Sequence, residues 1–92
     1  MINGSINDFM DKLWNGEELI YTYKGTKYFS QGYTLENGNY RFELQRWEPR
    51  ADVLWYVEGL TNEESVEAFL KEPFFEGQTF WAVEKEIEWV DY

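Results

Sequence analysis

Apolar positions along the chain fall into two different periods, and the switches between them mark out the elements. Ile6, Phe9, Met10, Leu13 and Trp14 stand at helical spacing and form one apolar stripe. Ser5 precedes the stripe as an N-cap candidate, Asp8 lies in the first turn, and Asn15-Gly16 is a stop signal. Four strand-like runs follow. Glu18 to Tyr23 is rich in β-formers, and Lys24-Gly25-Thr26 reads as a turn into Lys27 to Thr34. Asn37-Gly38 is a hairpin signal before the third run, Asn39 to Trp47. There Tyr40, Phe42 and Leu44 point one way, and Arg41, Glu43, Gln45 and Trp47 the other. Glu48-Pro49-Arg50 breaks this run. The fourth, Asp52 to Glu58, puts Val53, Trp55 and Val57 on one face and Leu54, Tyr56 and Glu58 on the other. Connections this short predict an antiparallel meander.

The helical period then returns. Thr61 and Glu64 have capping-box spacing, Val66, Phe69 and Leu70 form a short apolar face, and Pro73 closes the helix. After the apolar loop Phe74-Phe75-Glu76-Gly77, Thr79 is the expected cap of a third helix carrying Phe80, Val83, Ile87 and Val90, with a strand over Ile87 to Val90 as the alternative. The predicted order is α-β-β-β-β-α-α. It describes an α+β fold with helices on one face of a four-stranded antiparallel meander, spanning residues 1–92 as a single domain.

Composition adds what holds such a short chain together. Its 92 residues include five Trp, seven Tyr and seven Phe. Each large ring can bury roughly 150–250 Å², so a few of them can form a core without disulfides. There is no Cys and no His. Thiol chemistry and cysteine-ligated zinc or iron–sulfur centres are thereby excluded, together with the usual proton shuttle near neutral pH. The start of the chain lacks the basic and apolar regions of a signal peptide, and no run approaches the length of a membrane span. The expectation is a cytoplasmic protein of bacterial or phage type.

Charge changes the picture most. The net charge is −10. Residues 63–92 hold nine acids against two lysines, and residues 1–62 nine acids against six bases. Direct nucleic-acid binding and anionic membrane surfaces are disfavoured, because both need cationic side chains. A protein partner with a basic surface suits this field. The candidate contacts are Glu84, Glu86, Glu88 and Asp91 for electrostatics and Trp47, Trp81 and Trp89 as anchors. On a helix, Glu84 and Glu88 would repel each other at i, i+4. The plainer account of the acids is a solvated face, and of the outward aromatics, cross-strand pairing. Arg46-Trp47-Glu48-Pro49-Arg50 gathers two of the three arginines beside a Trp; the plainer account is cation–π and salt-bridge packing at a strand end, and the alternative is a recognition patch for a carboxylate or a phosphate.

Catalytic options are few. No G-x-S-x-G, Walker loop or S-x-x-K is present, no carboxylate spacing resembles a calcium loop, and a serine nucleophile would lack a histidine base. No cofactor is expected. The leading expectation is a non-enzymatic interaction module, a small acidic binder or inhibitor docking on a larger basic protein such as one that handles nucleic acid. The alternatives are a small-molecule or carbohydrate module using the aromatic sheet face, and a homodimer joined across a two-fold axis.

Overall fold

A computed structural model describes residues 1–91, with Asp91 described by its backbone alone; Tyr92 lies outside the described part. Helix α1 (Ile6–Trp14) buries Phe9 and Leu13, and Ser5 caps it by accepting from the Asp8 amide. Strands β1 (Leu19–Tyr23), β2 (Thr26–Thr34), β3 (Tyr40–Glu48) and β4 (Asp52–Glu58) form the expected meander. At the β2–β3 turn Gly38 has φ +89°, a backbone conformation in which a Cβ is strained, so this position suits glycine. Helix α2 (Asn62–Lys71) starts with the reciprocal Thr61–Glu64 capping box.

At the end of the chain the third helix is cut short and the strand alternative holds, which makes the sheet five-stranded rather than four-stranded. Helix α3 (Phe80–Val83) lasts one turn, a 3-10 turn follows over Glu84–Glu86, and Glu88–Asp91 is a fifth strand, β5. The sheet order is β4-β3-β2-β1-β5, antiparallel throughout. Ile87 and Trp89 are buried while Val90 is exposed, a period of two rather than 3.6. The open edge of β1 decided the outcome. Pairing there satisfies backbone groups and delivers Trp89 beside Tyr21, edge-on to the Phe9 ring at 5.3 Å.

The helices lie on one sheet face. Tyr21, Tyr23 and Tyr28 of the sheet meet Phe75, while Phe42 and Trp55 meet Phe69. These rings, with Trp55 packed against them as a partly buried neighbour, join Phe9, Leu13, Val66, Phe80 and Ile87 in one apolar cluster. The other face of the sheet is covered by no helix among the described residues. No helix among those residues is long and apolar enough to cross a membrane.

Candidate functional site

Alternation along β2, β3 and β4 assembles the uncovered face. Arg41, Glu43, Gln45 and Trp47 come from β3, opposite the core-facing Phe42 and Leu44, as their spacing predicts. Cross-strand register adds Phe29 beside Gln45, Tyr33 beside Arg41, and Tyr56 beside Glu43. A register shift opposite Leu44/Gln45 brings Val53 beside Gln45, so Val53 joins this face instead of sharing Trp55's side. Bulges of this kind re-aim the residues next to them. Tyr33, Trp47, Val53, Leu54 and Tyr56 all remain exposed.

A hydrogen-bonded chain runs through the middle of the face. Trp47 Nε1 donates to Gln45 Oε1 at 2.9 Å, and Gln45 Nε2 donates to Glu43 Oε2. Glu43 Oε1 accepts from the Tyr33 hydroxyl at 2.8 Å and from Arg41 Nε at 3.1 Å. Glu43 is only 4% exposed although no helix covers it. Burial pushes its carboxyl pKa up, but the hydrogen bonds from Gln45, Tyr33 and Arg41, with the Arg41 charge, outweigh this and leave it below the ordinary value. The Tyr33 hydroxyl moves the other way, raised mainly because it donates to Glu43. Three donors occupy the Glu43 oxygens and its proton affinity is reduced, so it is poorly suited to act as a general acid.

Two aromatic platforms flank this network. Phe29 stacks on Trp47 with centroids 4.6 Å apart, which buries Phe29 outside the main core. The Arg41 guanidinium lies 3.9 Å over the Tyr56 ring. Trp47 and Tyr56 are 39% and 53% exposed, and their conformations are held by contacts within the sheet. Exposed acids Glu48, Asp52 and Glu58 stand at its margins.

The seven candidate contacts are not brought together. Trp47 lies on the open face. Trp81, also exposed, stands on α3 beside Phe80, on the helical side of the sheet. One flat partner surface cannot meet both. Trp89 as a surface anchor is corrected: at 2% exposure it belongs to the core. Glu84 accepts from the Met1 ammonium at 2.6 Å and is largely withdrawn from solvent. Glu84 and Glu88 do not form a helical pair, because one lies in the 3-10 turn and the other on β5. Glu86 is exposed and Glu88 half-buried. The side chain of Asp91 lies outside the described part. Arg46 braces the β3–β4 turn through Arg50 O and Asp52 and makes no cation–π contact with Trp47.

Tyr33, Glu43 and Tyr56 were missed as a group. Alternation in β3 places Glu43 on this face, but its partners depend on register, which the spacing of one strand does not carry. A shallow depression of about 620 Å³ lies elsewhere, lined by Asn3, Ser5, Asp8, Asp11 and Lys12 among others; none of the open-face aromatics lines it. Among the described residues, no cluster of carboxylates is arranged to hold a metal. Comparison with protein-family models, curated proteins and solved structures found no match.

Proposed function

We propose that this chain is a non-enzymatic interaction module, a small acidic binder or inhibitor that docks on a larger protein with a basic surface through the open face of its sheet. One observation carries the reading: Tyr33, Trp47, Val53 and Tyr56 are exposed together on the side that no helix covers, with exposed Leu54 next to them at the register shift. Aromatic centres ringed by polar groups have the anatomy of protein interfaces, where Trp, Tyr and Arg supply most of the affinity. The acids at the margins, with Glu86 and Glu88 at the chain's end, add long-range attraction for a cationic partner. A nucleic-acid-handling protein is the class this charge suits. A chain without cysteine also suits a reducing cytoplasm, where we place it.

The reading is tested by affinity capture from host lysate, comparing the wild type with a Trp47→Ser/Tyr56→Ser double variant at low and high salt. A basic protein should be retained by the wild type, lost by the variant, and held less well as salt rises. Equal retention by both proteins, or retention indifferent to salt, would overturn it.

A further inference from the structure

The two edges of the sheet are treated differently. On β5, the edge away from β1 is occupied. Ile2 donates to Ile87 O at 2.8 Å and accepts from the Trp89 amide at 2.9 Å, forming a short parallel bridge. At the opposite edge, β3 is the only strand neighbour of β4 among the described residues. The direction of its free groups follows from the ladder. Gly59 donates to Tyr40 O at 2.9 Å, so the pair just beyond Arg41↔Glu58 is hydrogen-bonded. Antiparallel pairs alternate, which turns the Phe42↔Val57 and Leu44↔Trp55 pairs inward as well. The amides and carbonyls of Tyr56 and Glu58 therefore point away from the sheet.

Such an edge invites another strand unless something excludes it. Strand β4 carries Asp52 and Glu58 and no base. A second copy paired along it would line four carboxylates on one seam, between two chains each carrying a charge of −10. The register shift beside Leu54 also confines regular pairing to the Trp55–Glu58 end. These features act against self-pairing. They leave the edge open to a strand that brings cations, above all for Glu58, since Asp52 already pairs with Arg46 at 3.3 Å.

We infer that β4 captures an extended segment of a protein partner by strand addition, and that this segment is basic at its ends and apolar between them. The inference rests on the interaction reading above and names its mode. Main-chain bonds to Tyr56 and Glu58 hold the segment, its cations meet Glu58 and Asp52, and its apolar side chains lie beside Tyr56 and Val53.

The test uses a nine-residue acetylated, amidated peptide that alternates valine and threonine and has lysine at both ends. Amide chemical shifts and hydrogen exchange of the whole chain are followed during titration. The expected result is shifts centred on residues 54–58 and slowed exchange at Tyr56 and Glu58. N-methylation of alternate peptide amides should weaken binding at least tenfold. Glutamates in place of the peptide lysines, or Asp52→Asn with Glu58→Gln in the protein, should weaken it several-fold. Binding that ignores N-methylation and shifts Trp47 and Tyr33 instead would overturn strand addition while leaving the open-face reading intact. Tyr56 and Glu58 amides already protected in a dimer of the free chain would overturn it in favour of a second copy. Absence of binding at millimolar peptide would overturn it as well.

Discussion

Gly32→Ala tests how the sheet is joined to the helices. Gly32 lies on β2 opposite Phe42, and its amide donates to Gly16 O at 2.9 Å. The Tyr40 ring lies across it so that its hydroxyl can donate to Asn62 Oδ1 at 2.5 Å. Asn62 Nδ2 in turn donates to Trp14 O, linking the start of α2 to the end of α1. A methyl group on Gly32 would overlap the Tyr40 hydroxyl and approach Tyr40 Cζ to 2.5 Å and Phe42 Cδ2 to 3.3 Å. The tyrosine must swing away, and the bond to Asn62 is lost with it. Overpacking costs about 1–3 kcal/mol, and the broken hydrogen bond about 1 kcal/mol more. The stiffer unfolded chain returns about 0.4–1 kcal/mol. The net loss is about 1–3.5 kcal/mol, which for a chain of this size lowers Tm by about 5–25 °C. Circular dichroism during thermal and urea unfolding measures both quantities. Tyr40→Phe removes the nearest clashing atom, so Gly32→Ala should cost about 1 kcal/mol less in that background. A Gly32→Ala protein within about 0.5 kcal/mol of wild type, the range of ordinary surface changes, would refute the close approach on which this rests.

This linkage shows what the sequence could not convey. The Ile6–Trp14 stripe, the capping box at Thr61 and the alternation in β3 are local patterns, and the chain follows each of them. Gly32 carries no local signal, because its role is set by a ring eight residues away. The choice between helix and strand at residues 87–90 is undecided by local pattern for a related reason. Ile87 and Val90 fit a helical stripe with Phe80 and Val83, but the vacant edge of β1, which no window around them contains, makes the segment a strand. The candidate site divides the same way. Trp47 was legible from alternation, whereas the partners of Glu43 and the burial of Trp89 depend on tertiary placement.

Glu43→Gln should destabilise the chain by about 1.5–3 kcal/mol near neutral pH, since it removes a buried charged acceptor of three donors. The folded pKa of Glu43 lies below its unfolded value, so the wild-type advantage is full above about pH 4.5 and fades as pH falls through the folded value; urea midpoints between pH 7 and 3 check this, and a difference that stays constant would contradict it. Trp89→Ala should cost about 3–5 kcal/mol as a core truncation, whereas Trp81→Ala should change stability by no more than about 0.5 kcal/mol, compared by chemical denaturation.

Under the proposed function, the open sheet face, and not the helical side, meets a basic partner. Photo-crosslinking measures this directly, with the reactive group placed at Val53 in one protein and at Trp81 in another, each irradiated in host lysate. One basic protein should be labelled from position 53 and not from position 81. The same protein labelled from position 81 alone would contradict it.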